Sequence, residues 1–255
     1  MEKLIREKLK EVEKQFNVSI LFACETGSRA WGFPSPDSDY DVRFIYRHPQ
    51  NWYLSIDDAK DSMEYLQGDL DLVGWDIRKS LKLLRKSNTA MLERLQSPII
   101  YQETLDFRKK LTALAPAYFS GRAGLHHYLS MAFNYYKACA PAPEVKLKSY
   151  FYLLRTALAS LWIVEQKKIP PLQFQALLPL VPEKAILTKI NELLYLKVTV
   201  NETYLHPKET ELEAYISQIL TYCESRKETL AKQQGDTEKL NNLFRIIIQQ
   251  PWPLP

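Results

Sequence analysis

Apolar positions in the first hundred residues follow two different spacings. In residues 2–15 they recur every three or four positions, which predicts an amphipathic helix. Short apolar runs rich in β-branched and aromatic residues predict buried strands. The predicted strands are 18–24, 40–47 and 69–77. Residues 78–96 regain helical spacing, with a break expected near Ser87 and Asn88. Residues 51–67 fit neither pattern.

From about residue 103 the helical spacing dominates, and proline-containing segments separate the helices. The predicted helices are 103–115, 121–140, 144–168, 172–178, 183–195 and 209–234. Mixed strands and helices followed by helices alone predict an α+β fold, with a small sheet domain ahead of an all-α domain. We expect domains at 1–102 and 103–235. The tail, 236–255, either packs back onto the protein or stays loose.

Cysteine usage and hydropathy point to a cytoplasmic protein without a membrane segment. Cys24, Cys139 and Cys223 are widely scattered and odd in number, which predicts reduced thiols and no metal-ligand spacing. Cys24 lies in an apolar run and is expected in the core. The longest clean apolar run, 156–164, is too short to span a bilayer. The charged residues 1–16 do not resemble a secretory leader.

Charge is unevenly distributed, although the net charge is only +4. Residues 122–168 contain seven basic and two acidic residues, whereas the first hundred residues are slightly acidic. Two interpretations stay open at this point. The pattern fits a metal site that faces a polyanion-binding surface, and it also fits ordinary solvated helix faces, which composition alone favours.

The segment GSRAWGFPSPDSDYD (27–41) places carboxylates at the start of a strand. Because strand side chains alternate, Asp39, Asp41 and Arg43 share one face. In the third strand Asp69 and Asp71 also share a face, so one of them can join the first two if the strands are neighbours. Converging carboxylates without cysteine or histidine suit Mg²⁺ or Mn²⁺ rather than zinc.

The start of the same segment offers groups that bind phosphate. Gly27 allows a tight turn and a close approach of the backbone to a ligand. The backbone N–H groups of a short helix and the Ser28 hydroxyl can bind phosphate oxygens, and Arg29 adds a charged fork. Phosphate donors beside metal ligands are what nucleotidyl transfer requires.

These motifs resemble the signature of the DNA polymerase β nucleotidyltransferase superfamily, a Gly-Ser pair followed by Asp-x-Asp on a strand and a later acidic residue. The spelling GSRAWGF…SDSDYDVRFIY, with DLDLVGWDIRKSLKLLRKSN downstream, is similar to its YcgL/RlaP-type branch. The likeness is strong over residues 20–100 and looser in the helical part. It implies a mixed sheet with flanking helices, a divalent metal, and transfer of a nucleoside monophosphate from a nucleoside triphosphate to a hydroxyl.

By position, the resemblance assigns Gly27 and Ser28 to the triphosphate and Asp39 and Asp41 to the metals. We choose Asp71 as the third catalytic and metal-binding carboxylate.

Asp69 is the alternative to Asp71. Asp76 has the opposite parity and precedes a helix, so we expect it to be an N-cap.

Further basic residues and one tyrosine are candidates for contact with substrate. Lys148, Tyr152 and Arg155 recur along one helix face and either reach the triphosphate or nucleic acid, or form a solvated flank. Arg78 and Lys79 are candidates for phosphate contact. Arg43 either binds substrate or neutralises the carboxylates in a protein that no longer catalyses.

The leading functional hypothesis is a magnesium- or manganese-dependent nucleotidyltransferase that acts on an RNA 3′ end in RNA repair or modification. A protein hydroxyl is the second acceptor considered and a small molecule the third. A non-catalytic nucleotide- or RNA-binding protein is the alternative class. A bridging position of Arg43 among the carboxylates would favour that alternative. The sequence leaves the nucleotide and the oligomeric state open.

Overall fold

The computed structural model describes residues 1–57, 59–68, 70–139, 142–232 and 235–252. The chain forms two compact units, and neither is continuous in sequence. Unit 1 contains the sheet and is built from 1–27, 39–118 and the described part of 234–255. Unit 2 is mostly helical and is built from 28–38 and the described part of 119–233.

Helices and strands alternate in the first hundred residues, and helices dominate the rest. The helices are α1 (Glu2–Phe16), α2 (Gly27–Trp31), α3 (Ile77–Arg85), α4 (Thr89–Gln96), α5 (Phe107–Tyr118), α6 (Gly121–Cys139), α7 (Leu147–Gln166), α8 (Lys184–Lys197), α9 (Thr210–Arg226) and α10 (Thr237–Ile248). The strands are β1 (Ser19–Glu25), β2 (Tyr40–Arg47), β3 (Ser62–Gln67), β4 (Leu70–Asp76), β5 (Ile100–Glu103), β6 (Glu144–Lys146) and β7 (Leu205–Pro207). Short 3-10 helices cover Gln50–Leu54, Phe174–Leu180 and Lys227–Thr229.

The sheet of unit 1 has five strands among the described residues, in the order β3-β4-β2-β1-β5. The β2–β4 pair is parallel and the other pairs are antiparallel. This is the small mixed sheet that the sequence predicts. The three predicted strands become β1, β2 and β4, which lie side by side in the order β4-β2-β1.

One face of the sheet packs on α1, and the alternation of side chains explains why. Val42, Phe44 and Tyr46 of β2 are buried in one cluster with Ile5 and Leu9 of α1. Side chains of opposite parity point to the other face. This leaves Asp41 and Arg43 of β2 on the face away from α1.

Helix boundaries in unit 1 confirm two sequence predictions. The Asp76 carboxylate accepts a hydrogen bond of 2.7 Å from the Arg78 N–H and caps α3. The expected helix break occurs at Ser87, whose φ is 56°, and Asn88 then caps α4 through the N–H of Met91.

Several elements lie outside the sequence predictions. β3 forms within residues 51–67, which fit neither the helical nor the strand spacing. β5 forms where no strand is predicted, and α10 forms in the tail. The tail packs within unit 1 because the fully buried Arg47 donates hydrogen bonds to carbonyls at the end of α10, those of Ile247 and Gln250, both at 3.1 Å. Compact units therefore do not follow the predicted bounds at 102 and 235, since α5 and α10 belong with the sheet.

Unit 2 is organised around α7. Residues 153–160 of this helix are all buried, as expected for a helix surrounded by other elements. β6 and β7 form a small antiparallel pair that sequence reasoning missed. Cys24 in unit 1 and Cys139 and Cys223 in unit 2 are buried free thiols, and for Cys24 the burial was expected. Across the described residues, no helix combines the length and apolarity needed to cross a membrane.

Candidate active site

The parallel pairing of β2 and β4 brings two predicted catalytic carboxylates together. Asp41 and Asp71 are register partners in this pair. Both lie on the face of the sheet away from α1, and their side chains keep 34% and 30% of their surface exposed. Solvent and ligands can therefore reach both carboxylates. Asp41 of β2 and Asp71 of β4 therefore lie side by side, as the sequence predicts.

A guanidinium group lies between the two carboxylates. Nη2 of Arg43 is 3.0 Å from Oδ1 of Asp41 and 2.8 Å from Oδ2 of Asp71. Nη1 donates to the backbone carbonyls of Asp71, at 3.0 Å, and of Val42, at 3.2 Å. This is the bridging position that the sequence analysis associates with a neutralised cluster. Both acidic oxygens lie within hydrogen-bond distance of a single nitrogen atom, so they converge on one point that a cation occupies.

The backbone of Asp41 is held by the end of β1. Its N–H donates to the carboxylate of the fully buried Glu25 at 2.7 Å. Its carbonyl accepts from the backbone N–H and the hydroxyl of Thr26, at 2.8 and 2.9 Å. The other carboxylate oxygen of Glu25 accepts a short hydrogen bond from Tyr101. Glu25 therefore positions Asp41, a role that sequence reasoning missed. An acidic residue ending a buried strand just before Gly27 is the signal that could have revealed it.

Gly27 lies directly beside the side chain of Asp41. Its φ is +64°, which L side chains rarely adopt, and a Cβ at this position would collide with the carboxylate of Asp41. The glycine predicted for close approach to a ligand therefore also gives Asp41 its space. Ser28, the next residue, opens the first segment of unit 2.

Asp39 and Asp69 are the other candidate carboxylates. Asp39 is exposed and precedes the first residue of β2, and Asp69 lies outside the described residues. Within the described ranges, no three His, Cys, Asp or Glu side chains are grouped closely enough to hold a metal ion. The Asp41–Asp71 pair offers oxygen donors alone, which fits a hard divalent cation in ligand type. Asp39 as a third ligand stays a prediction.

In unit 2 the segment 28–38 is held by a polar network. Ser28 and Ser38 join their hydroxyls at 3.1 Å, and the Ser38 hydroxyl donates to the Glu202 carboxylate at 2.9 Å. Arg29 donates from Nη2 to the Ser38 carbonyl at 2.7 Å. Glu202 also forms a short ion pair with Lys148. Glu202 thus joins two groups of predicted nucleotide-binding residues, and no motif in the sequence indicated it.

The three predicted positions on α7 have different environments. Lys148 keeps a third of its side chain exposed and lies 5.8 Å from the centre of the Tyr152 ring. Arg155 is 2% exposed and its guanidinium lies 4.3 Å over the Trp31 ring. The burial of Arg155 suits packing against Trp31. Lys148 and Tyr152 retain the accessibility that ligand contact needs.

A second feature of unit 1 is a groove between α3 and α10. It encloses a cavity of about 240 Å³. Arg78, Lys82 and Arg85 line it from one face of α3, and Leu81, Leu240 and Phe244 supply apolar surface. The Arg78 guanidinium lies 5.0 Å from the centre of the Tyr53 ring and 5.5 Å from that of the Phe244 ring. Within the part of the chain that the structure describes, Lys82 and Arg85 form no ion pair.

Comparison with known proteins adds a family to this geometry. The chain matches the family described as "RlaP: RNA repair pathway DNA polymerase beta family" over residues 1–246. It is 39% identical over 255 residues to a Bacillus subtilis protein, "Uncharacterized protein YcgL", covering 99% of this chain and 98% of that one. A solved nucleotidyltransferase-like protein from Exiguobacterium sibiricum 255-15 aligns with a TM-score of 0.32 and 13% identity, over 97% of this chain and 82% of that one.

Proposed function

Because this chain belongs to the RlaP family of RNA repair polymerase-β proteins and is a nucleotidyltransferase, we propose that it transfers a nucleoside monophosphate in a metal-dependent reaction. The observation that carries the proposal is the pairing of Asp41 with Asp71 across two parallel strands. Paired, accessible carboxylates are the oxygen ligands that Mg²⁺ or Mn²⁺ takes in phosphoryl-transfer sites. Such a cation, when bound, neutralises charge on the triphosphate and on the leaving pyrophosphate.

The chain's own residues have distinct roles in this proposal. Asp41 and Asp71 would hold the divalent cation, and Asp39 is the third candidate ligand. Glu25 keeps the Asp41 backbone in place through the 2.7 Å hydrogen bond to its N–H. Gly27 leaves space at the carboxylate.

The resemblance assigns Gly27 and Ser28 to the triphosphate. Within unit 2, Arg29, Lys148 and Tyr152 stay predictions for contact with phosphate or nucleic acid. The sequence also places Arg155 in this group. Because Arg155 is buried against the Trp31 ring, we assign it a packing role instead of contact with the triphosphate.

An RNA 3′ end is the acceptor we propose. Membership of an RNA repair family supports this choice, and so does the α3–α10 groove, where three basic side chains and an apolar floor suit a phosphodiester chain with its bases. Both substrates are available in the cytoplasm, so we include a cytoplasmic location in the proposal.

Label transfer tests the proposal. Purified protein is incubated with Mg²⁺ or Mn²⁺, each α-³²P-labelled nucleoside triphosphate in turn, and a pool of small RNAs. The matched variants are Asp41→Asn/Asp71→Asn, which removes the carboxylate pair, and Asp57→Asn/Asp106→Asn, which removes two exposed aspartates elsewhere in unit 1.

We expect metal-dependent label on RNA with the wild type and the Asp57/Asp106 variant, and a loss of about 10³-fold or more in the Asp41/Asp71 variant. Label on the protein band instead would replace RNA by a protein hydroxyl as acceptor. Equal transfer by both double variants would refute the assignment of the carboxylates.

A further inference from the structure

The side chain of Arg43 and a metal ion would compete for the same oxygen atoms. Its Nη2 lies 3.0 and 2.8 Å from the two carboxylate oxygens, whereas Mg²⁺ lies roughly 2.0–2.1 Å from its ligands. A cation held by both oxygens would approach the guanidinium closely, and the two positive charges would repel each other. Occupation by Arg43 and occupation by a divalent cation are therefore mutually exclusive in this geometry.

Charges on the neighbouring elements decide where Arg43 can go when it leaves. On β1 its register partner is Cys24, whose pKa is raised to about 12 by burial, so this side offers a neutral thiol. On α4 the buried Arg94 is close enough for the two guanidinium charges to repel, and this repulsion adds to the burial that lowers the pKa of Arg94 to about 9. At neutral pH Arg94 stays charged. Arg94 therefore opposes a move of Arg43 towards α4, and the exposed side of the two carboxylates leaves an outward route.

An arginine released to that side becomes a phosphate ligand. Its planar fork binds phosphate oxygens in pairs, and it cannot lose its charge at neutral pH. Only 19% of the side chain is exposed while it bridges the carboxylates. Movement outward would exchange two carboxylate contacts for contacts with a triphosphate, which carries more negative charge.

We infer that Arg43 is an internal counter-ion of the active site: it keeps Asp41 and Asp71 paired without metal and moves to the triphosphate when a divalent cation replaces it. This inference rests on the proposed function, because it requires metal binding by the two carboxylates. It explains how a nucleotidyltransferase can carry an arginine among its metal ligands. It also makes metal and nucleotide binding cooperative, since each favours the same released position of Arg43.

Binding of Mn²⁺ to the full chain tests the inference without any turnover. The binding is measured as the loss of the electron paramagnetic resonance signal of aqueous Mn²⁺. The variants are Arg43→Gln, which removes the competing charge, and Arg43→Lys, which keeps the charge without the fork. Arg245→Gln is the matched control. It removes an arginine of unit 1 that forms an ion pair with a different carboxylate, that of Glu238. Thermal unfolding checks that each variant is folded.

Without nucleotide, we expect Arg43→Gln to bind Mn²⁺ at least tenfold more tightly than the wild type, Arg43→Lys to lie between them, and Arg245→Gln to match the wild type. At saturating Mn²⁺, we expect Arg43→Gln to bind a non-hydrolysable nucleoside triphosphate at least fivefold more weakly. Unchanged or weaker Mn²⁺ binding by folded Arg43→Gln would overturn the counter-ion role. Unchanged triphosphate affinity would overturn the move to phosphate.

The Asp41→Asn/Asp71→Asn variant separates failure of this inference from failure of the proposed function. If the wild type binds Mn²⁺, that variant does not, and Arg43→Gln binds no more tightly than the wild type, the metal site stands and the counter-ion role fails. If the Asp41/Asp71 variant binds Mn²⁺ as well as the wild type does, the proposed function fails, and the inference fails with it.

Discussion

Gly27 and Asp41 constrain each other at the scale of single residues. The glycine has a left-handed backbone, and the space where its Cβ would lie is filled by the Asp41 carboxylate. Gly68 has a similar φ of +56° but no atom within 4 Å of its hypothetical Cβ. Substitutions at Gly27 and Gly68 therefore impose the same backbone strain, but only the one at Gly27 also displaces the Asp41 carboxylate.

We expect Gly27→Ala and Gly68→Ala each to lower the free energy of unfolding by about 1–2 kcal/mol, the cost of a left-handed alanine. Only Gly27→Ala should also reduce nucleotidyl transfer, because it displaces the carboxylate. Chemical denaturation and label transfer measure the two effects. Full activity of Gly27→Ala would show that the position of Asp41 does not depend on this glycine.

His48 gives the stability of unit 1 a dependence on pH. Its ring stacks on Trp52 at 4.0 Å, and burial lowers its pKa from 6.5 to about 4. The unfolded chain therefore binds this proton more readily than the folded chain. The stabilisation is fully present above pH 6.5 and is lost as the pH falls towards 4.

We expect wild-type stability to fall by about 1 kcal/mol more between pH 7 and pH 5 than that of His48→Phe, which keeps an aromatic ring that cannot be protonated. Urea unfolding at both pH values measures the difference. Parallel losses in the two proteins would show that His48 is not responsible.

At the scale of elements, alternation along β2 was enough to predict which side chains share a face. Asp41 and Arg43 lie together, and Val42, Phe44 and Tyr46 form the core, as the two-residue period requires. The strand neighbours were not predictable in the same way. Pairing of β2 with β4 is a contact between distant segments, and no local pattern specifies it. The bridging geometry of Arg43 depends on that pairing. From the sequence alone, Arg43 could therefore either bind substrate or neutralise the carboxylates.

Short strands and the C-terminal helix were missed for different physical reasons. β5 and β7 are only four and three residues long, which is too short for a periodic signal. α10 has a clear apolar face, but it follows a polar segment and precedes three prolines, so its place depends on the buried Arg47 in a different element.

The α3–α10 groove carries the prediction about RNA. We expect Lys82→Glu/Arg85→Glu to weaken binding of a short single-stranded RNA by at least tenfold and to reduce the salt dependence of the affinity, because two phosphate contacts are lost. Lys14→Glu/Lys109→Glu, with the same charge change on exposed positions of unit 1, should leave the affinity within about twofold. Fluorescence anisotropy at two salt concentrations measures both. Equal weakening in the two variants would mean that net charge, not the groove, binds RNA.

At the scale of the whole molecule, the discontinuous units explain why a linear division of the sequence differs from the structure. Residues 28–38 interrupt the sheet unit just after Gly27 and belong to unit 2, where Ser38 and Glu202 hold them. The chain therefore passes from one unit to the other between the two residues of the Gly-Ser pair. Composition and periodicity describe consecutive residues, so they could not reveal that arrangement.

In the proposed reaction Asp41 and Asp71 would hold a divalent cation in place of Arg43. The most direct measurement is anomalous X-ray diffraction from crystals of the protein with Mn²⁺ and a non-hydrolysable nucleoside triphosphate. We expect an anomalous peak within about 2.5 Å of a carboxylate oxygen of each aspartate, with the Arg43 guanidinium moved from between them to the phosphates. A peak elsewhere, with Arg43 still bridging Asp41 and Asp71, would contradict the account.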